Sequence, residues 1–208
     1  MTGIFPAVAW MSVYASVFLW SGFSPVDRAT WIMEVAPAIV AAAAMALTYK
    51  TFRLTPLLYW LILAHCVVLM VGGKYTYAHV PLFDDIKDAL GGERNNYDKV
   101  GHFMQGCVPV LVAREIILRK RVVSGKYWAG FFSASFCLAF SALYEMIEWG
   151  AAVALGKGAD AFLGTQGYAW DTQSDMAFAL IGAVFGLLAF SRLHDAQITK
   201  QGTGAAPI

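Results

Sequence analysis

Long apolar stretches recur along the chain, separated by short polar turns and one longer polar loop. Each stretch can cross a bilayer, since a membrane-spanning helix needs about 20 largely apolar residues. None shows the alternation of apolar and polar positions found in membrane β-barrels, and helices satisfy their own backbone hydrogen bonds in lipid. The pattern therefore predicts an all-α integral membrane bundle of about six transmembrane helices. The six windows are residues 4–22, 31–49, 55–72, 100–118, 128–150 and 173–190.

Charge is distributed unevenly between the connecting segments. Basic residues concentrate in the turns after the second and fourth windows and in the tail after the sixth. Because Lys and Arg are retained in the cytoplasm, these segments and both termini are predicted to be cytoplasmic. The long loop at 73–97 carries four acids against three bases, with Asp98 just beyond it, and it is predicted to be extracytoplasmic with a possible short helix at 84–90. The basic residues are Lys50, Arg53, Arg119, Lys120, Arg121, Lys126, Arg192 and Lys200.

Composition agrees with insertion into a membrane. Hydrophobic residues make up 59% of the chain, charged residues 14%, and the mean hydropathy is +0.58, whereas soluble domains have about 25% charged residues. The net charge of +1 gives no electrostatic basis for nucleic-acid binding. The cysteines Cys66, Cys107 and Cys137 are expected to be small buried side chains. We expect one domain over residues 1–195 and a flexible tail over 196–208.

Three pairs of ionisable residues lie near the predicted outer ends of the last three windows. Their spacing of three or four residues places each pair on one helix face. A carboxylate in the hydrocarbon region costs several kcal/mol unless it is paired or hydrated. The sequence therefore predicts that these helices bring their pairs to one polar pocket. The pairs are Asp98 with His102, Glu145 with Glu148, and Asp171 with Asp175.

Several carboxylates with one imidazole suit a hard or borderline divalent cation. Helix bundles hold such ions with Glu and His on facing helices. Alternatively, the cations Arg94, Lys99 or Lys74 would neutralise the carboxylates. The predicted metal ligands are Asp98, His102, Glu145, Asp171 and Asp175. The predicted catalytic residues are Glu145, Glu148 and His102.

Each of these residues also has a purely structural interpretation. Asp98 and Asp171 stand where helix N-caps are expected, and Asp is a good N-cap. His102 would then be a hydrogen-bonded core histidine. The two glutamates of span 5 would make a polar contact between helices. Capping does not explain residues that lie further inside the helices.

Other features of the spans are interpreted structurally. Arg114 and Glu115 lie near the cytoplasmic end of the fourth span, where snorkelling towards water would accommodate them. His65 lies mid-membrane, and we expect it to make a structural hydrogen bond. Gly182 and Gly186 form a GAVFG motif, which is typical of closely packed helices.

Four sequence motifs resemble the YjdF family of bacterial inner-membrane proteins. They are GGKYTYAHVP (72–81), RNNYDKVGHFMQG (94–106), YEMIEW (144–149) and FLGTQGYAWDTQSDM (162–176). The resemblance covers most of the chain from about the third span onward, and it implies a multi-pass protein of the bacterial inner membrane. The order of the motifs is more distantly similar to VanZ-like proteins, which implies a role in the cell envelope. In those proteins the middle motif has Glu followed by Gln, whereas this chain has Glu145 and Glu148.

Three functions are compatible with these features. In the first, the pocket binds a divalent metal ion and acts on an envelope lipid or another amphipathic substrate. In the second, the protein is a cation- or proton-coupled solute transporter or binding protein. In the third, it is a structural membrane scaffold. The sequence leaves open whether the protein is an enzyme. The expected partners are the lipid bilayer and a lipid-linked or amphipathic small molecule.

Overall fold

The computed structural model describes residues 7–155 and 166–202, and within these ranges the chain is helical without a strand. The predicted all-α class is therefore confirmed. The segment at 156–165, where the last quoted motif begins, lies outside the described residues, as does 203–208. The helices are α1 (Ala7–Gly22), α2 (Arg28–Thr48), α3 (Pro56–Lys74), α4 (Pro81–Ala89), α5 (Tyr97–Lys120), α6 (Lys126–Leu155) and α7 (Asp171–Lys200).

Four of these helices, α2, α3, α6 and α7, are long and apolar enough to cross a membrane. Helix α1 is apolar but has 16 described residues, and the window predicted for it begins before them. Helix α5 has 24 residues and is about 36 Å long at 1.5 Å per residue. It is less apolar because it carries charged side chains at both ends, and several of these are buried against neighbouring helices. The molecule is an all-α membrane bundle.

Contacts between connecting segments define two ends of this bundle. At the first, the Val26 amide donates to the Lys74 carbonyl (3.0 Å), which joins the start of α2 to the end of α3. At the other, Arg119 Nη1 donates to the Arg53 carbonyl (2.7 Å), which joins the end of α5 to the turn before α3. We call the first the acidic end and the second the basic end. The connecting segments thus lie at alternate ends of the bundle, which agrees with the predicted topology. The assignment of the basic end to the cytoplasm stays a prediction.

Helices α5 and α7 approach closely through glycines. A Cβ atom on Gly106 would collide with the Ala179 carbonyl, and one on Gly182 would collide with the Phe103 carbonyl. A Cβ on Gly186 would lie 2.7 Å from the Cys107 carbonyl oxygen. The GAVFG motif thus packs against α5 of the same chain, as small residues in membrane helices allow. This contact brings the first turns of α5 and α7 together.

The apolar core is built mainly from α3, with further buried side chains from α2 and α5. Leu58, Met70 and Leu111 are fully buried there. All three cysteines are buried and unpaired, which confirms the interpretation of them as small core side chains. Removing such buried apolar side chains from a close-packed interior leaves a cavity and destabilises the fold.

A closed polar network at the basic end is centred on Glu115, whose side chain is fully buried. Arg119 Nη1 lies 2.6 Å from its Oε1 atom. His194 Nε2 lies 2.8 Å and Thr55 Oγ1 2.9 Å from its Oε2 atom. Both carboxylate oxygens are therefore hydrogen-bonded, as a buried charge requires.

The remaining members of this network are Arg114 and Asp195. Arg114 Nη1 lies 2.7 Å from Asp195 Oδ1 and 3.4 Å from His194 Nδ1. Arg114 and Glu115 are 4% and 0% exposed, so the prediction that they snorkel to the surface is wrong. They stay inside because α7 supplies partners. We call Thr55, Arg114, Glu115, Arg119, His194 and Asp195 the Glu115 network.

Two boundaries differ from those predicted. The tail was predicted to begin at 196, but α7 continues to Lys200. It does so because Ile198 is buried beside Leu118 and Gln197 Oε1 accepts a hydrogen bond from the Leu57 amide (2.9 Å). The loop at 73–97 contains α4, which begins three residues before the possible helix at 84–90.

Candidate metal centre

The first turn of α5 carries three ionisable residues, Asp98, Lys99 and His102. The N-cap position of α5 is Asn96 and not Asp98. The Asp98 side chain is used differently: its Oδ2 atom lies 3.1 Å from Arg94 Nη2 and 3.3 Å from Lys99 Nζ. The prediction that Asp98 only caps the helix is therefore wrong.

The start of α7 faces this turn with two buried aspartates, Asp171 and Asp175, one helical turn apart. Lys99 Nζ lies between them, 3.1 Å from Asp171 Oδ1 and 2.5 Å from Asp175 Oδ1. Arg94 Nη2 also lies 2.5 Å from Asp171 Oδ1. The α7 N-cap position is Trp170, so capping does not explain Asp171 either.

His102 stands at the centre of the remaining carboxylate oxygens. Its Nδ1 atom lies 3.0 Å from Gln105 Oε1, and when Nδ1 carries the proton of a neutral ring, Nε2 has the lone pair. Nε2 lies 3.2 Å from Asp98 Oδ1, 3.8 Å from Asp175 Oδ2 and 3.8 Å from Glu145 Oε1. Three helices thus direct one carboxylate oxygen each towards a single imidazole nitrogen.

Three of these atoms, from Asp98, His102 and Asp175, have the composition and spacing of a metal site, and Glu145 Oε1 lies beside them. Ligand atoms about 2.1 Å from a tetrahedral ion lie about 3.4 Å from one another, close to the distances measured from His102 Nε2. One ligand atom each from Asp98, His102 and Asp175 lies within 4.8 Å of the others. The Glu145 side chain is 9% exposed, and its Oε1 atom has no hydrogen-bond partner among the described residues. We call Arg94, Asp98, Lys99, His102, Glu145, Asp171 and Asp175 the acidic cluster.

A cavity of about 60 Å³ adjoins the acidic cluster. Asp98, His102 and Asp175 line one part of it, and Glu34 and Glu148 line it from α2 and α6. Tyr144 Oη donates to Glu34 Oε2 (3.3 Å). The described residues that line the cavity include no Lys or Arg, so the interior favours cations. A cavity of this size holds a few water molecules or a small ion.

The acidic cluster and the cavity together hold more negative than positive charge. Glu34 and Glu148 add two carboxylates to the four of the cluster, and the nearby cations are Arg94 and Lys99. Lys74, the third cation predicted to neutralise the pocket, instead donates to the Phe23 carbonyl (2.7 Å). Carboxylates kept from bulk water need protons or a bound cation for the excess charge.

The structure brings the predicted site residues to one place, but they do not all contact the same groups. Asp98, His102, Glu145 and Asp175 share the His102 nitrogen, whereas Asp171 contacts only the two cations. Glu148 lies on the cavity wall. Their proposed ligand and catalytic roles stay predictions.

Sequence reasoning missed Glu34 and misjudged His65. Glu34 was not among the predicted site residues, but it lies in the second turn of α2 and reaches the cavity. His65 also lines the cavity, and its Nε2 atom has no hydrogen-bond partner among the described residues. The position of Glu34 along its helix could have identified it, because Glu34 lies about as far from the start of α2 as His102 lies from the start of α5.

Comparison with known proteins agrees with this architecture. Residues 6–196 match a family described as "Predicted membrane protein (DUF2238)". The chain is also 50% identical over 186 residues to the "Inner membrane protein YjdF" of Escherichia coli (strain K12), and the match covers 89% of each chain. No solved structure matches.

Proposed function

The chain belongs to the DUF2238 family of membrane proteins and is a multi-pass protein of the bacterial inner membrane, and from this premise we propose that its acidic cluster is a divalent-cation site. The ligands are His102 Nε2 with one oxygen each from Asp98, Asp175 and Glu145. The site serves a reaction on the polar end of an envelope lipid or another amphipathic molecule. In that reaction the cation would activate a water molecule, and Glu148 on the cavity wall would accept its proton.

The observation that carries the proposal is the unpartnered Oε1 atom of Glu145. It is buried, it has no hydrogen-bond partner among the described residues, and it lies 3.8 Å from His102 Nε2. A buried polar atom without a partner costs about 1–3 kcal/mol. A cation between Glu145 and His102 would remove this cost and part of the excess negative charge at once.

The surroundings of the ligands favour the same interpretation. Gln105 fixes the His102 ring through its Nδ1 atom (3.0 Å), as residues behind metal-binding histidines do. Lys99 and Arg94 contact Asp98 Oδ2, Asp175 Oδ1 and Asp171 Oδ1, which leaves the other oxygens of Asp98 and Asp175 facing His102. The cations thus orient the carboxylates without covering the proposed ligand atoms.

The size of the cavity limits what reaches the site. A space of about 60 Å³ admits a small polar group and excludes a whole lipid head group with its chains. An amphipathic substrate would therefore place only its reacting end beside the cation, while its apolar part stays in the bilayer. This geometry suits a membrane enzyme whose substrate approaches from the lipid.

Metal analysis of the purified protein tests the proposal. The parent chain, exchanged into chelator-free buffer after loading with Zn²⁺ or Mn²⁺, should retain about one ion per chain, since the described residues provide one such set of ligands. His102→Ala and Glu145→Gln should each lose it. Glu93→Gln removes an exposed carboxylate at the same end and should leave the metal content unchanged.

A parent chain without stoichiometric metal would overturn the cation site. If metal binds but chelation leaves the turnover of a bacterial lipid extract unchanged, the site stands and the enzymatic role does not. Lipid turnover is measured by mass spectrometry of the extract after incubation with the protein in nanodiscs.

A second candidate function, cation- or proton-coupled transport, is favoured by the path of the cavity. The cavity extends from His102 on α5 to His65 on α3, and acidic side chains line it from four helices. Intramembrane ionisable residues of this kind mark ion and proton pathways in transporters. The small volume also suits an ion better than a lipid.

Vesicle experiments separate transport from the other functions. Transport predicts ion-gradient-dependent flux into proteoliposomes, which Glu148→Gln should reduce and Glu93→Gln should not. The enzyme predicts no flux. A structural scaffold, the third possibility, predicts that variants of the acidic cluster lower stability without changing binding, flux or turnover.

A further inference from the structure

The short helix α4 carries a row of exposed apolar side chains along one side. Leu82, Ile86 and Leu90 are 63%, 41% and 80% exposed. They follow one another at intervals of four residues, so they lie on one side of the helix and its C-terminal cap. Exposed apolar side chains in such a row need a cover other than water.

The other sides of α4 hold it in place. Phe83 packs edge-on against Tyr97, with ring centroids 5.1 Å apart. Asn95 Nδ2 donates to the Val80 carbonyl (3.0 Å) and to Asp84 Oδ1 (3.0 Å). Asp85 points to solvent. Docking through Phe83 and Asn95 leaves the row of Leu82, Ile86 and Leu90 facing outward.

The position of α4 along the bundle decides what covers this row. The helix begins shortly after α3 ends at Lys74 and ends shortly before α5 begins at Tyr97. Tyr97 Oη donates to the Val68 carbonyl (3.1 Å), so the start of α5 is level with the last turns of membrane-spanning α3. Helix α4 is therefore held at the depth of the membrane surface.

We propose that α4 is an interfacial helix whose apolar row lies among the lipids of the leaflet at the acidic end. Interfacial helices bury such a face about 5–10 Å into the boundary between head groups and acyl chains. The contact is apolar, because Asp84, Asp85 and Asp88 on the same helix offer no attraction to anionic lipids.

The turn before α4 connects this interfacial helix to the cavity. Thr76 and Tyr77 line the cavity and adopt positive φ angles of 54° and 56°. The Tyr77 ring fits because Gly101 has no side chain: a Cβ there would lie 2.8 Å from Tyr77 Cε1. The outer wall of the cavity is thus continuous with a helix that rests on lipid.

Asn95 makes a second connection. The backbone amide of Asn95 donates to Gln166 Oε1 (2.9 Å), and Gln166 Nε2 donates to the backbone carbonyl of Asn95 (2.9 Å). Gln166 precedes α7, and Arg94, the neighbour of Asn95, contacts Asp171. Through these contacts, movement of α4 relative to the bilayer would displace the first turn of α7.

Depth-dependent quenching tests the proposal on the full chain in nanodiscs. A bimane label is placed by Ile86→Cys or Leu90→Cys on the apolar row, and by Asp85→Cys or Asp88→Cys on the acidic side of the same helix. The native cysteines are buried, and the parent chain serves as the labelling control. All four positions are exposed, so the labels leave the packing intact.

Labels at 86 and 90 should be quenched severalfold more by lipids brominated on their acyl chains than labels at 85 and 88. Aqueous iodide should give the opposite order. Equal quenching of both sets by brominated lipid, or stronger iodide quenching at 86 and 90, would overturn the proposal. The measurement involves no metal, so it is independent of the cation site.

Discussion

The two polar regions of this membrane protein differ in how completely their groups are satisfied. In the Glu115 network both carboxylate oxygens have partners, and two arginines face two acids. In the acidic cluster, carboxylates outnumber cations, Glu145 Oε1 has no hydrogen-bond partner, and a cavity adjoins it. A polar network whose groups are all paired stabilises a fold, whereas one with unpaired groups is suited to bind an ion or a ligand.

The largest effect is expected from Glu115→Ala. This change removes the common acceptor of Arg119, His194 and Thr55 and leaves buried cationic groups without their partner. Breaking a buried ion pair in this way should lower the free energy of unfolding by about 3–5 kcal/mol. The measurement is reversible SDS unfolding followed by circular dichroism.

Asp195→Ala is the matched control for this prediction. The Asp195 side chain is 50% exposed, so its ion pair with Arg114 is solvated and should contribute at most about 1 kcal/mol. Equal losses in the two variants would remove the distinction between a closed network and an ordinary surface pair.

A change in the helix contact that supports both regions should come next. Gly182→Ala places a Cβ against the Phe103 carbonyl and should lower the free energy of unfolding by about 1–3 kcal/mol, as overpacking does. The same substitution at Gly150 meets no atom within 4 Å. It should leave stability unchanged or raise it by up to about 1 kcal/mol, because Ala favours helix more than Gly.

A smaller effect is expected from Glu145→Gln in the acidic cluster. The variant removes one charge from a region with excess negative charge, and the Oε1 atom loses no hydrogen bond. The free energy of unfolding without metal should therefore change by less than about 1 kcal/mol, while Glu115→Gln should cost more. A large loss at Glu145 would mean that the acidic cluster is a structural lock like the Glu115 network.

The smallest effect concerns Asp84 on α4. The hydrogen bond from Asn95 lowers the pKa of Asp84 from its ordinary value of 3.8. The resulting anchoring of α4 is present above pH 3.8 and is lost as pH falls through the lowered pKa of the folded state. Fluorescence of a bimane label at Leu90→Cys should report this loosening, and adding Asp84→Asn should abolish the pH dependence.

The sequence predicted the spans and the meeting of the three ionisable pairs, because hydropathy and the helical repeat fix length, depth and face. It did not predict the burial of Arg114 and Glu115, since His194 lies some 80 residues away in the chain. Glu34 was missed for the same reason: only the packing of α2 against α3 brings it to the cavity, where Tyr144 of α6 donates to it. The orientation of the bundle and the likeness to VanZ-like proteins stay predictions.

The close contact of α5 and α7 has a consequence for motion. Where a carbonyl of one helix occupies the place of a side chain on the other, at Gly106 and Gly182, there is no flexible layer that would let the two helices slide. They should move as one rigid body that carries Asp98, His102 and Asp175 together. Widening of the cavity would then require α6, with Glu145 and Glu148, to swing away from that body. The movement that widens the cavity would also draw the Glu145 carboxylate away from His102.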